Sequence, residues 1–542
     1  MLRTERTSVL EPAAGRDATD LAGFGYQQRL DRTLGGFSSF AAGFSYLSIL
    51  TGLPQLFYLG YASAGPSFFW TWPAVLLGQF LVALCFAELA AEFPLSGGVY
   101  QWAKQVGWDS VGWMAGWVYL ACATVSLASV ATALQGALPR VIPWFQWVGD
   151  PANPTDAARN AVLLGCALIA LSTVINVLGV RLLTRINNVG VFAEMAGAVI
   201  LIGLLAWQAR RGFSVVFETQ GKGAGVPLGY LGSFLAAALV PSFVMYGFDT
   251  AGALAEETDD PRRKAPRAIL GALAAVGVAG TLLIVAALCA APDLLDPELG
   301  RLGGGMATII QGALGSNWGK LLLLDVVLAI AVCTLTVHAA AVRLIFAMAR
   351  DNGLPGSKAL ASLPGSTRTP RLPAVCLGVG AVLILGLNAN LPQVVEVMAS
   401  VAVVWANLAY LFVTVPQLLR RIRDRGQVDR RKAQGLFTLG RWGLPVNVLA
   451  VIWGVLIVGN IGWPRAEVYG EVWYRRFAAP LATLAMLGLG LICRAMVSRR
   501  STEVLEDHRA PVLEPVLVSS TMGLGTGTGT GSGIRSIEES FE

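Results

Sequence analysis

The chain has 542 residues, of which 55% are hydrophobic and only 14% charged, and its mean hydropathy is +0.61. Soluble proteins carry about 25% charged residues, so most of this chain belongs in a lipid bilayer. Its seven cysteines, scattered through apolar runs, suit neither a disulfide framework nor a zinc spacing; its two histidines cannot build a His-based metal cluster; and no nucleophile stands with a matching base. No enzyme activity and no cofactor other than a proton is expected.

Residues 1–35 are polar, with Arg3, Arg6, Arg16, Arg29 and Arg32, and lack the apolar core and cleavage site of a signal peptide. They are expected to form a cytoplasmic tail. Apolar segments follow at approximately 37–61, 67–90, 111–137, 160–180, 189–208, 231–254, 268–291, 321–348, 373–390, 393–418, 444–463 and 477–497. Each approaches the roughly 20 residues needed to span a bilayer, giving an all-α membrane protein with about twelve transmembrane helices. With the amino terminus inside, 30 of the 40 Lys and Arg residues fall on the inner side. This bias predicts a multi-pass plasma-membrane protein with both termini cytoplasmic, and it explains the net charge of +6 without nucleic acid. Residues 501–542, with the low-complexity run Gly523–Gly533, read as a disordered tail.

Two segments are built badly as helices. In the sixth, Leu231–Leu254, the interior holds Pro241, Ser242, Gly247, Asp249 and Thr250; in the first, Gly43, Ser45, Ser48, Thr51, Gly52 and Pro54 interrupt the span. Proline removes a donor, and glycine costs about 1 kcal/mol against alanine in a helix interior. Freed backbone groups at membrane depth are tolerated where they line a protein cavity, so both breaks mark a candidate site. Breaks five segments apart suggest two five-helix halves related as an inverted repeat, over 36–210 and 211–420, with a terminal pair over 421–500.

A broken helix offers amides to an anion and carbonyls to a cation, which suits a zwitterion. Backbone amides near Thr51 and Gly52 are expected to take a carboxylate. Carbonyls near Ser45–Ser48, and those of Met245, Tyr246 and Gly247, would take an amino group. The competing reading is that these small residues only permit close helix packing. Tyr246 and Phe248 would close over the ligand. Asp249 is assigned either to capping the following half-helix or to coupling. Glu194, inside segment 5, cannot stay charged against lipid without large cost and is the expected proton carrier; the alternative is a neutral hydrogen-bonded acid without a transport role. His338 is a second titratable candidate, against the plainer role of a hydrogen-bonded helix contact. Asp325 and Glu396 are expected near the outer ends, pointing to water.

Three stretches resemble one family. Ala87-Glu88-Leu89-Ala90-Ala91-Glu92-Phe93-Pro94-Leu95-Ser96-Gly97-Gly98-Val99-Tyr100 is similar to the end of the second helix and the following loop in the amino acid, polyamine and organocation (APC) superfamily of transporters. Gly247-Phe248-Asp249 with Glu256 to Ile269 resembles its sixth helix and inner loop, and Arg343 to Pro355 the end of its eighth. The resemblance implies two five-helix inverted repeats, a substrate held between broken helices 1 and 6, and alternating access. It also places Glu194, after Asn187-Asn188, where some members carry a lysine in place of a sodium ion; an acid there resembles the amino acid/choline transporter branch. Members often show Gly-x-Gly in the first break, whereas this chain has Leu50-Thr51-Gly52.

The expected function is secondary active transport of an amino acid or small amine, coupled to protons. Choline, lacking a carboxylate, would leave the amides near Gly52 unpaired. The alternatives are an uncoupled amino acid exchanger and a transporter-like nutrient sensor using the basic loop Arg420–Lys432 as a partner surface. The expected partners are the small-molecule substrate and the bilayer.

Overall fold

The structure is a computed structural model and describes residues 21, 23–26, 32, 34–363, 369–387, 394–423, 435–470 and 472–500. The expectations for 1–20 and for 501–542 fall outside these residues, as does most of the loop Arg420–Lys432. The described residues form helices and no strand, apart from one parallel bridge between Leu34 and Thr258.

Segment 1 is two helices, α1 (Gly36–Leu47) and α2 (Ile49–Ala64), and segment 2 is α3 (Thr71–Glu92). A short α4 (Val99–Val106) lies between segments 2 and 3. Segment 3 is α5 (Asp109–Thr132) continued by α6 (Leu134–Val141); segments 4 and 5 are α7 (Pro154–Leu178) and α8 (Val180–Trp207). Segment 6 is in pieces: α9 (Tyr230–Ala237), α10 (Leu239–Val244) and α11 (Thr250–Ala253). Then come α12 (Pro261–Ala290), α13 (Met306–Arg350, kinked at Gly315), α14 (Arg371–Leu387), α15 (Val394–Arg423), α16 (Gly443–Gly462) and α17 (Ala478–Arg500).

Among the described residues, nine helical stretches are long and apolar enough to cross a membrane. The first, Gly36–Glu92, contains both of the first two apolar segments, and the sixth and ninth correspond to shorter apolar helices, Tyr230–Val244 and Arg371–Leu387. The sixth falls short because it is interrupted.

α15 packs along α5 and α16, α12 against α3 and α1, and α13 against α8 and α5. The apolar window of α15 is 78% buried, whereas those of the stretches holding α16 and α17 are 28% and 17% buried, so this last pair lies at the rim. Large apolar side chains such as Leu77, Phe192, Val199 and Leu484 are exposed on the outside, as lipid-facing surfaces require. Trp144, Trp147, Trp207 and Trp463 are exposed at the ends of spans or in the loops that the charge pattern assigns to the outer face, where amphipathic rings favour the interface.

Candidate substrate site between the broken helices

The first break is narrower than the sequence suggests. Gly43 and Ser45 lie within α1, Thr51, Gly52 and Pro54 within α2, and the interruption is the single residue Ser48, at φ 25° and ψ 97°. The amides of Thr51 and Gly52, expected to hold a carboxylate, both donate to the Ser48 carbonyl, at 3.2 and 3.1 Å. The first turn of α2 closes on itself there. Gly52 serves close packing instead: a Cβ on it would meet Val244 Cγ2 at 2.7 Å.

The group that does reach the start of α2 is Glu194. Its Oε1 accepts from Ser48 Oγ at 2.8 Å and from the Leu50 amide at 3.2 Å, while Oε2 is buried without a hydrogen-bond partner. Ser48 Oγ is also hydrogen-bonded to Thr51 Oγ1 at 2.6 Å, and with its one proton given to Glu194 it accepts from Thr51. A carboxylate from the fifth span thus sits at the positive end of α2, the place a helix offers to an anion.

The second break has two parts. Pro241 has no N–H for the Ala237 carbonyl, and the helix is interrupted at Ala238, between α9 and α10. The chain then unwinds from Met245 to Asp249. Gly247 adopts φ +94°, and a Cβ there would lie 2.0 Å from the Tyr46 ring, so both its backbone conformation and its packing require glycine. No hydrogen bond falls on the carbonyls of Met245 and Tyr246 among the described residues.

Asp249 precedes α11 but makes no capping hydrogen bond. Its φ of −67° and ψ of −13° are helical, which turns the side chain away from the amides it was expected to satisfy. Oδ1 instead accepts from the hydroxyls of Tyr119 on α5 and Tyr410 on α15, each at 2.6 Å, and Oδ2 is buried without a partner. Tyr410 also accepts from the Gly247 amide at 2.7 Å, so the unwound stretch is tied to two spans. Tyr246 hydrogen-bonds Ser126 Oγ at 2.7 Å and meets the Tyr46 ring edge-on, with centroids 6.1 Å apart. Phe248 is fully buried against Phe86 and Tyr410.

Thr51 separates two spaces. On one side a cavity of about 400 Å³ runs from Gln146, Glu298 and Gly303 past Arg140 and Thr132 to Thr51. On the other, Tyr46, Ser126, Tyr246 and Cys333 enclose about 10 Å³, room for about one water molecule and for no amino acid. The molecule is therefore open from the face bearing the 142–153 and 291–305 loops and closed below the breaks.

The closure on the opposite face joins two of the stretches that carry the family resemblance. Arg343 holds Glu257 in a fork, at 2.9 and 3.3 Å, with both side chains 3% exposed. Arg350 holds Glu256 likewise, at 3.0 and 2.9 Å. Asp351 receives Lys104, Tyr26 and Tyr100, and the Tyr26 ring lies under Arg350. Leu34 pairs in both directions with the 257–259 backbone. Burial opposes the charge on Lys104, but Asp351 and Tyr26 outweigh it, so its pKa lies above the ordinary lysine value.

Two expectations change, for Glu396 and Asp325, and His338 makes the helix contacts of its plainer reading. His338 uses both ring nitrogens, toward Ser172 Oγ at 3.1 Å and the Ala374 carbonyl at 3.0 Å, and joins α13 to α7 and α14 instead of the breaks. Glu396 does not point to water: it is 7% exposed and accepts from Tyr58 at 2.6 Å, linking α15 to α2. Asp325 turns toward Gly197 on α8, one turn beyond Glu194, where glycine leaves room for it. Tyr119, Tyr410 and Ser126 were not singled out from sequence; the signal was a hydroxyl inside an otherwise apolar span.

Residues 34–487 match the amino acid permease family. The chain is 27% identical over 453 residues to the amino-acid permease BAT1 of Arabidopsis thaliana, covering 80% of this chain and 86% of that one. It is 24% identical over 447 residues to the branched-chain amino acid permease BcaP of Bacillus subtilis, covering 81% and 90%, and 23% identical over 405 residues to the GABA-specific permease of Saccharomyces cerevisiae, covering 73% and 71%. A multi-pass helical chain interrupted at two facing spans, and matched over most of its length by permeases, belongs to the amino acid permease family of the APC superfamily.

Proposed function

We propose that this permease imports an amino acid or small amine by alternating access, coupled to protons carried by Glu194. The observation that carries the reading is the Glu194 carboxylate at the start of α2. Ionised, it caps that helix end. Once protonated it no longer competes as an anion, and the Ser48 hydroxyl and Leu50 amide become available to a substrate carboxylate. The amino group then has the open carbonyls of Met245 and Tyr246 and the unpartnered Tyr46 hydroxyl, with aromatic faces around it. Relatives named for amino acids support a carboxylate-bearing substrate over choline.

Binding that draws the two breaks together would favour breaking the Arg343–Glu257 and Arg350–Glu256 pairs and opening the inner face, where Glu194 gives up its proton. Two five-helix halves, both termini in the cytoplasm and a place in the plasma membrane complete this reading. Purified protein in proteoliposomes, given labelled amino acids and amines with the outside acidic, tests it. Accumulation above equilibrium that collapses with an uncoupler is expected. Flux indifferent to the pH gradient would favour an uncoupled exchanger, and ligand binding without flux would favour a sensor.

A further inference from the structure

A second acid lies beside the first. Asp325 sits on α13, and a Cβ on Gly197 would fall 1.7 Å from its Oδ2 and 2.5 Å from its Cγ. Gly197 follows Glu194 by three positions on α8, so both face α13 from one side of that helix. Residue 197 is glycine where only glycine admits this carboxyl. Neither Asp325 Oδ2 nor Glu194 Oε2 has a hydrogen-bond partner, although both atoms are buried. Two carboxyls on adjoining faces, each with a buried orphan oxygen, are costly to retain in a membrane span without a use.

The placement has a direction. α8 starts at Val180, its first turns carry Arg181 and Arg185 on the side that the charge pattern assigns to the inner face, and it ends at Trp207 on the opposite face. Gly197 is therefore one turn farther out than Glu194. Asp325 is half-buried, whereas Glu194 is fully buried. Of the two acids, Asp325 therefore lies nearer the open side, on the helix whose Leu323 and Val326 line the open cavity. The electrostatic effect across the α8–α13 seam is that of Asp325 on Glu194, the acid that faces it from α8. Lys320, on its own helix, is exposed.

We propose that Asp325 is a relay acid, taking protons from the outer face and passing them to Glu194. This rests on Glu194 as the proton carrier. The transfer is a proton exchange between two carboxyls: Asp325 loses the proton that Glu194 gains, and Asp325 is reprotonated from outside. Such a relay sets the rate of loading and the outer pH at which loading saturates, and leaves substrate contacts alone.

The test compares wild-type protein with Asp325→Asn, Asp325→Glu, Gly197→Ala and Glu194→Gln in proteoliposomes, reading proton-driven uptake across outside pH and counterflow exchange without a gradient. Asp325→Asn is expected to slow proton-driven uptake by about a hundredfold or more, the lower end of the range for a positioned acid or base, with counterflow within about twofold of wild type. Asp325→Glu should restore most of the rate, and Gly197→Ala, which displaces the carboxyl, should reproduce the loss. Uptake and pH profile unchanged in Asp325→Asn would overturn the relay, as would a parallel loss of counterflow, which marks a structural role. If Glu194→Gln still accumulates substrate, the carrier reading fails and takes the relay with it; if Glu194→Gln fails and Asp325→Asn does not, only the relay is lost.

Discussion

Ser48 Oγ donates to Glu194 Oε1 at 2.8 Å, joining the one non-helical residue of the first span to a carboxylate 146 positions later. Removing the hydroxyl in Ser48→Ala leaves Glu194 with the Leu50 amide alone. A hydrogen bond to a charged group is worth about 1.5–3 kcal/mol, so the ionised form of Glu194 is disfavoured by about that much. Because the same hydroxyl serves the substrate carboxylate once Glu194 is protonated, affinity should fall most in the pH range where wild type is already protonated and fall less at higher pH, where the easier protonation of Glu194 offsets the lost contact. Affinity measured by thermal shift across pH checks this; a loss of equal size at every pH would contradict it.

Gly52 and Val244 approach closely enough that a methyl group on Gly52 would sit 2.7 Å from Val244 Cγ2. Gly52→Ala should reduce uptake severely, and adding Val244→Ala should recover much of it, because the second change removes the clashing atom. Coupling between such neighbours is commonly 0.5–3 kcal/mol. Gly247→Ala has no such rescue, since its φ of +94° disfavours any side chain as well. Recovery of Gly247→Ala by a smaller residue at Tyr46 would show that backbone strain there is unimportant.

Tyr119 and Tyr410 supply both donors to the buried Asp249. Tyr410→Phe removes one and also leaves the Gly247 amide without its acceptor, whereas Tyr119→Phe removes one donor only. Tyr410→Phe should therefore destabilise more than the roughly 1.5–3 kcal/mol expected for Tyr119→Phe. Unfolding in detergent, followed for both variants, gives the order; a reversed order would mean that the tie to Gly247 contributes nothing.

Asp351 is shared by Lys104, Tyr26 and Tyr100 at the inner closure. Asp351→Asn should loosen that face and raise labelling of a cysteine placed at Ser38 by a membrane-impermeant reagent added from inside, by several-fold. Because the pKa of Lys104 is raised, the stabilisation it gives is fully present below the ordinary lysine value near 10.4 and is lost only as pH rises through the folded value above it. Wild-type labelling should accordingly show no pH dependence arising from Lys104 between about pH 5 and 9. Equal labelling of wild type and variant would contradict the closure.

Arg343 and Glu257 form the more buried inner pair. Arg343→Ala strands the carboxylate, and breaking a buried pair from one side costs about 3–5 kcal/mol. Arg343→Ala should express poorly or unfold early, while the double change with Glu257→Gln should be better tolerated. A single variant as stable as wild type would place the pair outside the folded core.

Much of the architecture was legible because hydropathy reports apolar runs directly and Gly, Pro and Ser report where a helix is poorly supported. The breaks were found that way, as was Glu194. Side-chain direction was not legible. Asp249 looked like a cap because its partners, Tyr119 and Tyr410, lie 130 and 161 positions away in the chain. Asp325 and Glu396 looked solvated because position along a span says nothing about which face meets Gly197 or Tyr58. The amides of Thr51 and Gly52 looked free because sequence could not confine the break to Ser48.

The central claim is that protonation of Glu194, at the break in the first span, drives import. Accumulation of a transported amino acid against its gradient, measured in proteoliposomes with an inward proton gradient for wild type and Glu194→Gln, tests it most directly. Wild type should concentrate substrate, and Glu194→Gln, neutral at every pH, should only equilibrate it while still exchanging. Equal accumulation by both would contradict the account.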